Sequence, residues 1–344
     1  MKVTHQQTPL ARRSGVVAQE RTLRVAEPGD RRNPGVPFNL DSVLALRVNR
    51  SAVERRAATL PARRTVKREW QAAWLLRAIT CLDLTTLQGD DTPGTVQRLC
   101  AKARRPVRED VLRALGVADL DITVGAVCVY HALVPAAVRA LEGTGIPVAA
   151  VSTGFPAGLN PLAERLHEIQ ASRAAGAREI DVVITRAHVL TGQWDALYDE
   201  VRAFRNACGD ALMKVILATG ELATLTNVAR ASRVAMMAGA DFIKTSTGKE
   251  AVNATLPVGV VMSRAIRAYQ EETGWPVGFK PAGGIRVARA ALDWLILMKE
   301  ELGDRSLRAA LFRIGASTLL TDIERQLEHF ATGRYSAAYR HPMV

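Results

Sequence analysis

From about residue 78 onward the chain alternates between two hydrophobic periods. Short apolar runs rich in β-branched residues recur, and each is followed by a stretch of helical spacing. The runs are "ITCLDL" (79–84), "AVCVY" (126–130), "VAAVST" (148–153), "EIDVVI" (179–184), "MKVILA" (213–218), "DFIKTS" (241–246), "VGFKP" (277–281) and "FRIGAS" (312–317). Strands that alternate with helices predict a parallel sheet, and eight repeats predict closure into a (β/α)8 barrel. A doubly wound sheet is the alternative. It is disfavoured because no G-x-G-x-x-G follows the first strand.

Upstream the pattern changes. "FNLDSVLALRVNRSAVERRAATL" carries apolar residues at helical spacing, with Asp41 as a candidate cap, and a second helix is expected through "TVKREWQAAWLLRAI". Residues 1–38 are rich in Arg, Gly, Pro and polar residues and have no period, so they read as a mostly disordered arm. The expected organisation is therefore an arm (1–38), a helical extension (39–76), the barrel (77–330) and a C-terminal tail (331–344).

Charge sharpens this division. The chain carries a formal +12. Residues 1–70 hold two Lys and thirteen Arg against six Asp or Glu, a net +9, so most of the positive charge belongs to the leader. A basic arm can touch nucleic acid, but a solvated tail is the better reading, and nucleic acid is not expected as a partner. No apolar run approaches the length of a membrane span, and the N-terminus lacks the apolar stretch of a secretory signal. Cys81, Cys100, Cys128 and Cys208 fit no zinc spacing, and the six histidines do not cluster. Free thiols in a reducing, cytoplasmic compartment and no bound metal are expected.

In a barrel of this kind the chemistry sits at the C-terminal ends of the strands. The predicted strands place Asp83, Cys128, Asp181, Lys214, Lys244 and Lys280 there. The last four are spaced 33, 30 and 36 residues apart, about one strand–helix unit each. A lysine in water is protonated, with a pKa of about 10.4. Burial or a second cation lowers that value, and the neutral amine then attacks carbonyls to form a Schiff base. Lys244 is the candidate nucleophile, Lys280 the adjacent cation, and Asp181 a lysine partner or proton shuttle. Cys128 reads as a pocket wall, and His131 as a solvent-facing loop residue.

Three glycine-containing loops follow the last three strands: "TSTGK" with Thr247, Gly248 and Lys249, "AGGIR" with Gly283 and Gly284, and "GASTLL" with Gly315, Ser317 and Thr318. Barrels often hold phosphate after strands seven and eight, so a phosphorylated small-molecule substrate is expected.

With these residues in place, "DFIKTSTGK" and "VGFKPAGGIR" resemble the deoxyribose-phosphate aldolases. The resemblance continues through "LDLTTL", "VCVY", "TGFPAG", "EIDVVI", "KVILATGEL" and "RIGAS", covers roughly residues 70–335, and favours the longer, animal-type form. It implies a barrel without metal or cofactor and a class I aldolase. Lys244 would form the Schiff base, Lys280 would activate it and transfer protons, and Asp181 would relay them. Asp83, Cys128 and Lys214 would join the phosphate-loop residues in binding substrate. The substrate implied is 2-deoxy-D-ribose 5-phosphate, cleaved reversibly to acetaldehyde and D-glyceraldehyde 3-phosphate. Two departures stand out: Ala218 replaces the glutamate of the short bacterial form, and His131 replaces a usual proline. Two other readings compete: a Schiff-base aldolase of the same barrel type acting on another phosphorylated sugar, and a non-catalytic barrel binding partners through its arm. The oligomeric state is left open by the sequence, and a homo-oligomer is compatible with it.

Overall fold

The computed structural model describes residues 32–341. Eight parallel strands form the sheet: β1 (Leu82–Thr85), β2 (Ala126–Tyr130), β3 (Val148–Ser152), β4 (Glu179–Val183), β5 (Leu212–Ile216), β6 (Phe242–Lys244), β7 (Gly278–Lys280) and β8 (Ile314–Ala316). Each lies beside its neighbour in sequence, and β1 pairs with β8. β7 and β8 meet through the bridges Phe279–Phe312 and Ala282–Gly315, which close the sheet into the expected barrel.

The helices are α1 (Leu40–Ala45), α2 (Arg50–Arg63), α3 (Arg68–Thr80), α4 (Pro93–Arg104), α5 (Glu109–Ala114), α6 (Val134–Ala140), α7 (Leu162–Ala174), α8 (Arg186–Leu190), α9 (Trp194–Cys208), α10 (Leu225–Met237), α11 (Leu256–Thr273), α12 (Ala288–Leu302) and α13 (Leu319–Thr332). Among the described residues, no helix is long and apolar enough to cross a membrane.

Strand alternation sends one set of side chains outward and the other into the barrel. Val127 and Val129 of β2 join the large core between sheet and helices, whereas Cys128 faces inward with Leu87, Ala149 and Val151. One side of the barrel interior is thus small and apolar. Charged residues fill the other side.

The leader differs from its expected form. The single long helix of residues 38–60 is broken at 46–49, because Asn39 and Asn49 each cap a separate helix. The Asn39 side chain accepts from the Ser42 amide, while Asp41 lies in the first turn and is not the cap. The expectation of disorder over residues 1–31 lies outside the described residues. Residues 33–38, assigned to the same arm, are packed on the barrel. Asn33 is buried; its backbone amide donates to Asp241 Oδ1, and its Nδ2 donates to the carbonyls of Met236 and Ala240. Val36 donates to the Met237 carbonyl, and the Phe38 ring lies 5.3 Å from that of Tyr198. His131, expected in solvent, is half-buried with Nδ1 2.9 Å from the Ser172 hydroxyl.

Candidate active site

Register places the ionisable side chains in facing positions. Lys244 and Lys280, the last residues of β6 and β7, are paired, as are Asp181 and Lys214 on β4 and β5. Asp83 of β1 stands opposite Gly315 of β8. Asp83, Asp181, Lys214 and Lys280 are fully buried, and Lys244 retains only 3% of its surface.

One carboxylate organises the cluster. Asp181 Oδ2 accepts from Lys244 Nζ at 2.8 Å and from Lys280 Nζ at 2.7 Å. Its other oxygen, Oδ1, accepts from Lys214 Nζ at 2.8 Å. Lys280 also donates to Asp83 Oδ2. Each lysine therefore has a different balance of burial and countercharge. Burial works against the ammonium of Lys280, but Asp181 and Asp83 outweigh it and hold its pKa above the ordinary lysine value. Lys214 is likewise held up, against burial, by Asp181, Glu179 and Asp83. Lys244 goes the other way. Burial is the largest influence on it, Asp181 offsets only part, and the Lys280 charge adds to the lowering. Its Nζ stands 6.0 Å from the centroid of the Phe155 ring. Desolvation also favours neutral Asp181 and Asp83, but the surrounding cations prevail and hold both carboxyls below the usual range.

Above the cluster, a cavity of about 330 Å³ opens at the C-terminal ends of the strands. Lys244 and Lys280 form part of its wall, and all three predicted phosphate loops meet there. Thr247, Gly248 and Lys249 come from one loop, Gly283 and Gly284 from the next, and Gly315, Ser317 and Thr318 from the last. An amine held toward its neutral form thus shares one cavity with backbone amides, hydroxyls and a lysine able to hold an anion.

Residues 77–322 match the family model described as DeoC/LacD family aldolase. The chain is 62% identical over 313 residues to the human deoxyribose-phosphate aldolase, covering 90% of this chain and 98% of that one. The mouse deoxyribose-phosphate aldolase is also 62% identical, over 311 residues and with the same coverage. This chain belongs to the DeoC/LacD family of aldolases. Among solved structures, the tetrameric deoxyribose phosphate aldolase of Aeropyrum pernix superposes with a TM-score of 0.57 at 23% identity. That match covers 81% of this chain and 99% of the other, and it carries the fold.

Within this DeoC/LacD aldolase, three residues expected to bind substrate sit deep in the barrel. Asp83, Cys128 and Lys214 are fully buried and do not line the cavity. Asp83 and Lys214 lie among the carboxylates and cations of the barrel interior, their polar groups consumed by ion pairs. Cys128 belongs to the inward apolar set, and burial pushes its thiol pKa up, against thiolate chemistry. The amides of Thr247 and Gly248 are also engaged: both donate to the carboxylate of Glu250. The anion-binding capacity of that loop therefore rests on the Lys249 side chain.

The structure of the aldolase adds residues that the pattern did not flag. Arg286 and Gln88 line the cavity, beside Thr85 and Thr86. Arg286 ends the "AGGIR" motif, so a basic residue two positions beyond a glycine pair was the available signal. Glu179 and Arg313 extend the buried ion-pair cluster below it.

Proposed function

We propose that this aldolase reversibly cleaves 2-deoxy-D-ribose 5-phosphate to acetaldehyde and D-glyceraldehyde 3-phosphate through a Schiff base on Lys244. The observation that carries the reading is the placement of Lys244, whose pKa is lowered chiefly by burial, in the same cavity as the three glycine-containing loops.

The neutral amine of Lys244 attacks C1 of the open-chain sugar, and loss of water leaves an iminium. The C3 hydroxyl gives up its proton as the C2–C3 bond breaks. The bonding electrons move into the iminium and form an enamine, while C3 becomes the aldehyde of glyceraldehyde 3-phosphate. Protonation of the enamine carbon and hydrolysis return acetaldehyde and the free amine. Asp181 suits the relay, since one of its oxygens touches both Lys244 and Lys280. Lys280, held protonated, supplies the positive charge and a transferable proton. The Phe155 ring beside Lys244 fits a two-carbon fragment there. Lys249, Arg286, the Gly283–Gly284 backbone and the hydroxyls of Ser317 and Thr318 suit the phosphate. All four cysteines are free and buried, which fits the reducing cytoplasm.

Acetaldehyde with borohydride tests the covalent step. One ethyl group should appear on Lys244, and activity should survive a chelator. Modification confined to another lysine would overturn the assignment. A panel of phosphorylated sugars tests the substrate: preference for another sugar would favour the competing Schiff-base aldolase.

A further inference from the structure

Two buried side chains join the catalytic cluster without reaching the cavity. Arg313 immediately precedes β8, Glu179 opens β4, and each keeps 4% of its surface. The Arg313 guanidinium donates to Asp83 Oδ1 at 2.6 Å and to Glu179 Oε1 at 2.7 Å. Glu179 Oε2 lies 2.6 Å from Lys214 Nζ. Both residues line a separate cavity of about 1090 Å³ among the loops that precede the strands, at the opposite mouth of the barrel. Neither is placed to meet a substrate.

The charges around Lys244 can be counted strand by strand. Asp83 faces in from β1, Glu179 and Asp181 from β4, Lys214 from β5, Lys280 from β7 and Arg313 from the start of β8. Cys128 of β2 adds an un-ionised thiol. Four cations thus face three carboxylates. A water-poor interior penalises net charge, so one cation should be neutral. Arg313 cannot lose its proton. Lys280 and Lys214 each contact two carboxylates or more. Among the described residues Lys244 pairs only with the carboxylate of Asp181, on an oxygen it shares with Lys280.

We propose that Glu179 and Arg313 are positioning residues for the reaction, setting the charge of the buried cluster so that Lys244 is its neutral member. This rests on the Schiff-base reading above. With Lys244 neutral the cluster balances, and protonating it leaves one uncompensated charge. Removing Glu179's charge makes that protonation harder. Removing Arg313's charge makes it neutralising.

The test is the acid limb of the kcat/KM profile, which reports the free enzyme's reactive amine. Glu179→Gln should move it to lower pH and Arg313→Gln to higher pH, each by about one pH unit, a tenfold change in neutral amine. The double variant Glu179→Gln/Arg313→Gln restores the balance and should return the limb to the wild-type position. Glu179→Asp and Arg313→Lys keep the charge and should leave the limb in place. If Arg313→Gln does not fold, Glu179→Gln against Glu179→Asp carries the comparison. Limbs that stay put, or that move the same way in both single variants, overturn the proposal. Borohydride trapping on wild-type Lys244 separates the two levels. Failure there removes the Schiff-base reading, while successful trapping with unmoved limbs removes only this inference.

Discussion

Lys244 and Lys280 face each other across β6 and β7 and donate to the same oxygen, Oδ2 of Asp181. Two ammonium groups on one acceptor oxygen lie within the range, about 6 Å, where like charges shift a pKa most. The pair resolves the conflict unequally. Asp83 supports Lys280, whereas among the described residues Lys244 has no second ion pair. The asymmetry of two carboxylates therefore becomes an asymmetry of two amines, one held as a cation and one released toward the nucleophilic form.

Replacing Lys280 by Leu keeps the apolar stem and removes the cation. The repulsion that helps to lower Lys244 disappears, and Asp181 is left to it more fully, so its pKa should rise toward that of an ordinary lysine. Burial, the largest influence on Lys244, remains and limits that rise. The neutral amine dominates only above its pKa, so the acid limb of kcat/KM should move to higher pH. A proton-transfer partner is lost as well, and activity at neutral pH should fall at least ~10²-fold. A folded Lys280→Leu variant with an unmoved acid limb would show that burial alone tunes Lys244.

The phosphate assignment is tested at Gly284. Its φ is +80°, and a methyl group there would meet no protein atom within 4 Å. Gly284→Ala should therefore cost about 1–2 kcal/mol of backbone strain without a clash. Because the residue lines the cavity, KM for the phosphorylated sugar should rise about tenfold, the equivalent of one hydrogen bond of about 1.4 kcal/mol. Unphosphorylated deoxyribose should react far more slowly than the phosphate ester with the wild-type enzyme, and the variant should slow it little further. Equal kcat/KM for the two sugars would detach these loops from phosphate.

Gly315 predicts a different kinetic signature. A Cβ there would stand 2.9 Å from Ala282 Cβ and 3.2 Å from Lys280 Cε. The glycine, read from sequence as a phosphate contact, also permits the close approach of β8 to β7 that closes the barrel and seats Lys280. Gly315→Ala should push the Lys280 ammonium off Asp181 and Asp83. The expected loss is mainly in kcat, about tenfold or more, with a smaller change in KM. A pure KM effect would assign Gly315 to phosphate alone.

How much of this was legible follows from what each signal depends on. The eight strands declared themselves because buried parallel strands need β-branched apolar runs, and the lysines stood out as charges at their ends. The cavity followed from three loops with glycine in the expected places. Glu179 and Arg313 did not stand out. A Glu at the start of "EIDVVI" and an Arg near the start of "FRIGAS" look like surface charges flanking a strand, and only the closed barrel brings them together. Lys214 and Asp83 stood out, but their depth did not, because spacing gives the strand of a residue and not its layer. The break at 46–49 was hidden because apolar periodicity continues across it, and Asn49 was the overlooked cap.

Asn33 offers the last test, because a polar residue between Arg32 and Pro34 reads as linker and yet is 2% exposed. Its Oδ1 accepts from the Gly35 amide and the Tyr269 hydroxyl, while Nδ2 holds the Met236 and Ala240 carbonyls. Met236 lies near the end of α10 and Ala240 just ahead of β6, so the contact pins the leader at the entrance of the strand that carries Lys244 at its far end. Asn33→Ala strands these buried groups and should cost about 1–3 kcal/mol. The melting temperature should fall by several degrees, with kcat/KM within a few-fold at 25 °C. Deleting residues 1–31 spares every one of these bonds and should change neither quantity appreciably. Deleting 1–38 should reproduce or exceed the Asn33→Ala loss of stability. Equal melting temperatures for the two truncations would show that residues 33–38 contribute nothing to the barrel, and a large loss of kcat/KM in a folded 1–31 deletion would place the arm at the active site.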